Sequence, residues 1–230
     1  MGESSSGRVL TVGKYCYEPT KFANGAFGSI HHGWEKNDRS KRVVVKIVNE
    51  DQEARLQEAV CQNKLKHHQN IVTLFKYSFT SVDEEDNNRQ KLTLVLEYCN
   101  GGNLKDYMNK KGGKLRQKVI TQYLLPQLRA GYKAMYDNDI AHRDIKLENI
   151  FLSHPIDVEY PDFDEITFKY GDFGFARPVG GNQVGRACLG TPRYYAPEIL
   201  RAINNPESER LRYRHEPDMW AIGKCNFCVS

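Results

Sequence analysis

The chain has 230 residues and a net charge of +4, with 40% hydrophobic and 27% charged residues, and its basic and acidic residues are interleaved. This composition is typical of a soluble globular protein and argues against a nucleic-acid-binding protein, which would show a basic stripe. No apolar run is long enough to span a bilayer, and residues 1–15 lack the apolar stretch of a signal peptide. We therefore expect a cytoplasmic protein.

The sequence has six cysteines: Cys16, Cys61, Cys99, Cys188, Cys225 and Cys228. They fit buried small hydrophobes or free thiols in a reducing compartment. Cys225 and Cys228 have the spacing of a zinc half-site, but the sequence offers no second pair, so we expect no metal there. Gly2 fits the short N-myristoylation pattern only loosely, and a disordered tail is the preferred interpretation.

In chain order, the first half of the sequence is rich in strand patterns. Val43–Val48 and Leu92–Tyr98 are aliphatic runs of the length typical of strands. One helix is expected between them at Gln52–Leu65, where apolar residues recur at near-helical spacing. The polar segment Ser81–Gln90 predicts a surface loop between two strands.

Beyond Gly101 the pattern changes to helix. Lys118–Asn138 has apolar residues at helical spacing, and Pro126 should kink this helix or leave a local gap in its hydrogen bonds. Ser153–Thr167 contains five carboxylates and two prolines, which predicts an excursion between two short strands.

A strand-rich segment followed by a helical segment predicts an α+β fold with two lobes and a ligand cleft where they meet. We expect a flexible tail over residues 1–13 and a small β-rich N-lobe with its hinge over residues 14–99. A helical C-lobe should follow over residues 100–230.

Phosphoryl transfer requires a cradle for phosphates, cations that neutralise them and a carboxylate that orients the attacking hydroxyl. Phe22–Ile30 predicts a strand–turn–strand in which Gly25 and Gly28 let the backbone approach phosphate without a Cβ. Lys46 lies inside an apolar strand, where a lysine is costly unless an anion pairs with it.

Glu58, on the helix that follows, is the expected partner of Lys46. Counting back from Asn70 would place Ala59 at the pairing position instead. We favour Glu58, because an unpaired buried lysine would be expensive, and this choice requires one extra residue in His67–Gln69.

Three more motifs follow in chain order: His142-Arg143-Asp144-Ile145-Lys146-Leu147-Glu148-Asn149, then Gly171-Asp172-Phe173-Gly174, then Ala196-Pro197-Glu198. Together with the glycine pair and the strand lysine, they resemble the eukaryotic protein kinase family. Each motif alone is weak, whereas the whole set in this order is specific. The resemblance runs from about Lys14 to Gly223 and implies the bilobal kinase fold.

The resemblance also implies catalytic roles. Lys46, held by Glu58, would contact the α- and β-phosphates of ATP. Asp144 would accept the proton of a substrate hydroxyl, and Lys146 would lie against the γ-phosphate. The implied cofactors are ATP and Mg²⁺, with Asn149 and Asp172 as the metal-holding residues.

The implied ATP-binding positions comprise the glycine loop, the adenine slot and the hinge: Ala23, Gly25, Gly28, Ile30, Val44, Lys46, Leu96, Glu97, Cys99 and Phe151. Leu96 would be the gatekeeper, and backbone groups of Glu97 and Cys99 would meet the adenine edge.

Lys146 and Thr191 are typical of serine/threonine kinases, and a threonine like Thr191 contacts the catalytic aspartate in that group. Val12–Tyr15, Glu97–Leu104 and Asp172–Arg177 resemble the autophagy-initiating serine/threonine kinases. The implied partners are proteins with serine or threonine acceptors, with a regulatory protein as a further possibility.

The sequence departs from the family pattern at several supports of the site. Ala23 replaces the first loop glycine, Val44 replaces an alanine, Phe151 replaces an aliphatic floor, and Gln62 replaces an apolar residue of a stacked regulatory spine. A polar side chain at Gln62 should weaken the active alignment of the helix.

The activation segment also departs from the pattern. Between Gly174 and Ala196 there is no serine, and Thr191 is the only threonine. The usual phosphate acceptor is missing, with Ala187 and Cys188 near its place, so we expect activation without phosphorylation of this loop.

Asp218–Gly223 resembles the start of the long central helix of the C-lobe, and the family's last helices are expected to be absent. Glu198 would then lack its arginine partner, at a cost of about 3–5 kcal/mol. This leaves two hypotheses: an active serine/threonine kinase, or a catalytically silent kinase-like chain that binds a partner.

Overall fold

The structure is a computed structural model that describes residues 9–25, 28–48, 52–81, 90–155, 161–179, 190–204 and 214–230. Gly2, Ala187 and Cys188 lie outside these residues. The chain divides into two compact units, Met1–Ala59 with Thr73–Tyr98, and Val60–Val72 with Cys99–Ser230. The first unit is mostly sheet and the second mostly helix, so the α+β fold class is confirmed.

The first unit contains a six-stranded antiparallel sheet in the order β1-β2-β3-β4-β6-β5. Its strands are β1 Leu10–Val12, β2 Tyr15–Gly25, β3 Gly28–Glu35, β4 Asp38–Val48, β5 Leu74–Ser81 and β6 Gln90–Glu97. One face packs a core in which aliphatic residues of β4 and β6 meet two tyrosines of β2: Val43, Val45, Ile47, Val95, Tyr15 and Tyr17. The expected strands at Val43–Val48 and Leu92–Tyr98 correspond to β4 and β6.

Strand β1 lies within residues 1–13, where the sequence suggested a flexible tail. Leu10–Val12 pairs with Tyr15–Tyr17, and the chain reverses at Gly13, whose φ of 62° suits glycine. Val12 is buried, so three residues of the supposed tail gain ladder bonds and an apolar contact. A three-residue strand is too short to show a period in the sequence.

Helix α1 spans Gln52–Leu65, which are the predicted bounds. Its buried positions include Glu58, Ala59, Cys61 and Gln62. Two polar side chains are therefore held inside, and each requires a specific partner.

The second unit contains helices α2 Leu104–Lys110, α3 Gln117–Val119, α4 Leu125–Asp137, α5 Pro197–Asn204 and α6 Glu216–Val229. It also has two small antiparallel sheets, one of β7 Ile140–Ala141 with β10 Arg177–Pro178 and one of β8 Ile150–Ser153 with β9 Thr167–Tyr170. Its core includes the buried side chains of Leu128, Met135, Phe168 and Phe173.

The helix expected at Lys118–Asn138 is present but interrupted by a π-helical turn at Ile120–Leu124. There the N–H of Leu125 bonds to the carbonyl of Ile120, five residues back. Pro126 follows at once and has no N–H to give, so the predicted gap in the hydrogen bonds is confirmed.

The strands that bound both polar insertions end and begin where the sequence placed them. β5 ends at Ser81 and β6 begins at Gln90, while β8 ends at Ser153 and β9 begins at Thr167. Residues 82–89 and 156–160 are outside the described ranges. Within the described ranges, no helix is both long and apolar enough to cross a membrane.

Candidate active site

Both loop glycines lie where strands β2 and β3 meet. Gly25 is the last residue of β2, Gly28 is the first residue of β3, and the two are opposite each other; Ala26 and Phe27 lie outside the described residues. A Cβ on Gly28 would collide with the backbone carbonyl oxygen of Ile47 on β4. Gly28 is therefore required by the close approach of two strands, whatever approaches the turn from outside.

Five expected ATP-contacting residues share one face of the first unit's sheet. Ala23 is opposite Ile30, Ile30 is opposite Lys46, and Val44 is opposite Leu96. Val44 and Lys46 are two residues apart on β4, so their side chains point to the same side. A lysine, three aliphatic residues and an alanine thus form one continuous surface.

Lys46 and Glu58 form a buried ion pair. Lys46 Nζ lies 2.7 Å from Glu58 Oε1, and the two side chains are only 5% and 2% exposed. The residue that pairs with Lys46 is Glu58 and not Ala59. Ala59, the next residue, is also buried. A charge pair this deep depends on both partners, because either charge alone would be strongly desolvated.

Gln62 is completely buried, and its Nε2 donates to the carbonyl oxygen of Val72 at 2.8 Å. Its Oε1 has no hydrogen-bond partner among the residues that the structure describes. The glutamine therefore satisfies one buried backbone carbonyl and leaves one buried acceptor without a donor.

In the second unit, Asp144 is held by three side chains. Thr191 donates its hydroxyl to Asp144 Oδ1 at 2.8 Å, and Asn149 Nδ2 donates to Oδ2 at 3.0 Å. Lys146 Nζ lies 2.8 Å from Oδ2 and also donates to Thr191 Oγ1 at 2.9 Å. The expected contact between Thr191 and Asp144 is confirmed. The carboxylate is fixed in one orientation, which is what a group that positions an attacking hydroxyl requires.

Asn149 presents an oxygen suited to a hard cation. Its Nδ2 donates to the carbonyl and the carboxylate of Asp144, and because both partners only accept, the amide orientation is fixed. Its Oδ1 then remains as an acceptor of the kind that Mg²⁺ binds. Asp172 supplies a carboxylate two residues after Tyr170, the last residue of β9. The donor set fits Mg²⁺.

Arg143 and Asp172 both have left-handed backbones, with φ of 71° and 56°. Non-glycine residues adopt this region at a cost of about 1–3 kcal/mol unless their surroundings hold them there. For Arg143, a carboxylate oxygen of Asp218 accepts its N–H at 2.9 Å, and the other accepts the N–H of His142 at 2.6 Å.

Asp218 is a supporting residue to which the sequence reasoning gave no role. It is 1% exposed, lies in the first turn of α6, and burial raises its pKa above the usual value. The backbone groups that it binds belong to a segment about 75 residues earlier in the chain, so they could not be inferred from the sequence around Asp218. The only local sign of its burial is the apolar run that follows it.

The other residues expected to contact ATP are Glu97, which belongs to the first unit, and Cys99 and Phe151, which belong to the second. In the first unit, Glu97 accepts the N–H of Thr73 on Oε2 at 3.1 Å, while its own N–H bonds to the Thr73 carbonyl. In the second unit, Cys99 accepts the N–H of Gly102 at 3.2 Å, and Phe151 of β8 bridges to Asn103. Each of these side chains is partly exposed.

Comparison with known proteins gives a family match. The protein kinase domain family matches residues 19–229. Human serine/threonine-protein kinase Nek5 is 35% identical over 206 residues, covering 86% of this chain and 25% of Nek5. Human serine/threonine-protein kinase ULK1 is 30% identical over 227 residues, covering 96% of this chain and 20% of ULK1.

Serine/threonine-protein kinase ATG1a of Arabidopsis thaliana is 29% identical, covering 94% of this chain and 31% of ATG1a. The chain thus spans between 20% and 31% of the length of these relatives. The expected resemblance to serine/threonine kinases is confirmed, and the relatives include Nek5 as well as ULK1 and ATG1a.

Among solved structures, the CAK complex of Chaetomium thermophilum bound to ATP-gamma-S matches with a TM-score of 0.71 and 23% identity. The match covers 93% of this chain and 61% of that chain. This likeness shows the fold. With the family match over residues 19–229 and relatives that are named serine/threonine kinases, the chain belongs to the protein kinase family, in its serine/threonine branch.

Proposed function

We propose that this chain transfers the γ-phosphate of ATP to serine or threonine hydroxyls of proteins. The observation that carries the proposal is the orientation of Asp144 by Lys146, Asn149 and Thr191. In this role Asp144 accepts the proton of the substrate hydroxyl, and Lys146 neutralises charge on the phosphate being transferred.

Lys46, paired with Glu58, would contact the α- and β-phosphates. Asn149 and Asp172 would hold Mg²⁺, which neutralises charge on the phosphates when it is bound. Five cysteines in the described part of the chain are free thiols, which supports a cytoplasmic place of action. An autophagy-related signalling role is part of the proposal, supported by the likeness to ULK1 and ATG1a.

The test is transfer of labelled phosphate from ATP and Mg²⁺ to a generic basic protein. Lys46→Met, Asp144→Asn and Asp172→Ala should each abolish transfer, while Asp164→Asn, an exposed carboxylate in the insertion, should not change it. Cooperative thermal unfolding shows that each variant is folded. A folded wild-type chain that is as inactive as its three variants would overturn the proposal.

A second candidate is a kinase-like chain that binds a regulatory partner and does no chemistry. The observation that favours it is an exposed apolar set on α6, with Met219 58% and Phe227 79% exposed and Trp220 close by. This candidate predicts a partner-binding activity that survives Asp144→Asn but is lost on Phe227→Asp.

A further inference from the structure

Strand β2 is irregular just before the turn that carries the loop glycines. Tyr17 is opposite Gly33 and Lys21 is opposite His31, so four steps along β2 match two steps along β3. Glu18, Pro19 and Thr20 lie inside this irregular stretch and have no residue opposite them on β3. The Glu18 carbonyl is therefore outside the regular pairing of the two strands, where a side chain can serve as its donor.

The His31 side chain supplies that donor. Its Nδ1 lies 2.9 Å from the Glu18 carbonyl oxygen, and its Nε2 lies 2.8 Å from Ser29 Oγ. A carbonyl oxygen only accepts, so Nδ1 carries the hydrogen. In the neutral ring Nε2 then accepts, and the Ser29 hydroxyl donates to it.

The imidazole ring is also fixed by packing. His31 is only 5% exposed, and its ring packs edge-on against the ring of Tyr17, with the two ring centroids 5.6 Å apart. Tyr17 is itself a member of the core of the first unit. His31 is thus anchored to the core and to β2 while its other nitrogen holds Ser29.

The residue that His31 holds is next to the turn. Ser29 directly follows Gly28, and both have regular partners on β4, Ile47 and Val48. Side chains alternate along a strand, so Ser29 and His31 lie on the side of β3 opposite to Ile30. Ile30 shares its face with Lys46, so His31 acts on that face only through the backbone of Ser29 and Gly28.

We propose that His31 is a positioning residue for ATP, which fixes Gly28 and Ser29 by bridging the Glu18 carbonyl and the Ser29 hydroxyl. The inference rests on the proposed function and on the expectation from the sequence that the backbone at Gly28 approaches the phosphates. Without the bridge, Ser29 loses its link to the irregular part of β2, and the backbone of Gly28 and Ser29 samples more conformations. Nucleotide binding weakens as a result, while the groups that perform the chemistry stay in place.

The variants separate the two arms of the bridge. His31→Phe keeps an aromatic ring and removes both hydrogen bonds, His31→Asn offers an amide near Nδ1, and His31→Gln offers one near Nε2. Ser29→Ala removes the hydroxyl and Ser29→Thr keeps it. Ser40→Ala is the matched control, because it removes an exposed hydroxyl of β4 that donates to the nearby Asp38.

We expect KM for ATP to rise about fivefold in His31→Phe and in Ser29→Ala, with kcat within about twofold of wild type. Ser29→Thr and Ser40→Ala should retain the wild-type KM. The Asn and Gln variants should lie between wild type and His31→Phe. A wild-type KM in both His31→Phe and Ser29→Ala would overturn the inference.

A second measurement does not need nucleotide. Nitrogen NMR of His31 should show the hydrogen on Nδ1, and amide exchange at Gly28 and Ser29 should accelerate in His31→Phe and Ser29→Ala. Unchanged exchange in both variants would overturn the inference even if the enzyme is active. If wild type fails to bind ATP, the proposed function fails, and the exchange rates still decide whether the bridge fixes the turn.

Discussion

Thr191 donates its side-chain hydroxyl to Asp144 Oδ1 at 2.8 Å, so one oxygen of the proposed catalytic carboxylate is fixed by a residue 47 positions further along the chain. Thr191→Val keeps the shape and removes the donor. We expect kcat to fall about 10- to 100-fold, the range for losing a hydrogen bond to a charged group. Steady-state kinetics with a protein substrate measure it. Thr191→Ser should recover most of the rate, and equal losses in Val and Ser would contradict the role of the hydroxyl.

The buried pair of Lys46 and Glu58 predicts a separation of stability from activity. Glu58→Leu leaves the lysine charge without this partner and should lower the free energy of unfolding by about 3–5 kcal/mol. The double variant Lys46→Met with Glu58→Leu removes both charges and should regain most of that stability while remaining inactive. Chemical denaturation and phosphate transfer are measured side by side. A double variant as unstable as Glu58→Leu alone would show that the charge pair is not the cause.

The pKa of Asp218, raised by burial from its usual 3.8, predicts a pH effect on stability. The folded chain holds this proton more tightly than the unfolded chain does. The contribution is therefore fully present below the unfolded pKa and is lost as pH rises through the raised folded pKa. Compared with Asp218→Asn, which does not ionise, wild type should lose free energy of unfolding as pH increases from 3.8 upward.

That comparison needs denaturation curves of both proteins at a series of pH values. Asp218→Asn accepts fewer backbone N–H groups and should be less stable throughout, so the informative quantity is how the difference changes with pH. A difference that stays constant over the series would exclude a raised pKa at Asp218.

Thiol reactivity should follow burial. Cys61 is fully buried, which raises its pKa to about 11, and burial also raises the pKa of Cys225. Because the thiolate is the reactive form, both should resist iodoacetamide at neutral pH. Cys99 and Cys228, which are partly exposed, should be alkylated before Cys61 and Cys225. Peptide mass spectrometry at timed intervals gives the order, and early labelling of Cys61 would contradict the packing of α1.

Activity should not require a phosphate on the activation segment. The Thr191 hydroxyl is already shared between Asp144 and Lys146, and Tyr194 is buried, with a pKa raised to about 12. Tyr195 donates its hydroxyl to the Gly190 carbonyl at 3.1 Å. Tyr195→Phe should therefore keep most of the activity, and phosphatase treatment should not reduce it. A phosphate required at any of these three residues would overturn the expectation.

Much of the fold could be predicted because its signals are local. The bounds of α1, the ends of both polar insertions and the interruption before Pro126 each follow from a period or a breaker within about 15 residues. The pairing of Lys46 with a carboxylate could be predicted from the cost of a buried charge. The choice between Glu58 and Ala59 was harder, because the sequence alone does not fix which of the two faces Lys46.

What could not be predicted depends on contacts between distant segments. The Asp218 carboxylate accepts the backbone N–H groups of His142 and Arg143, and no local pattern in the sequence indicates that these distant segments meet. His31 becomes a bridge only because β2 slips against β3, and strand register is set by the whole sheet. Strand β1 was missed because three residues carry no period.

The left-handed backbones of Arg143 and Asp172 restrict which substitutions these positions tolerate during sequence drift. At a positive φ, most side chains with a Cβ are strained, and β-branched residues are strained most. Asparagine and glycine adopt this region most readily, so they are the replacements that position 172 should tolerate best. Asp172→Asn and Asp172→Gly would therefore keep this backbone conformation while removing the carboxylate.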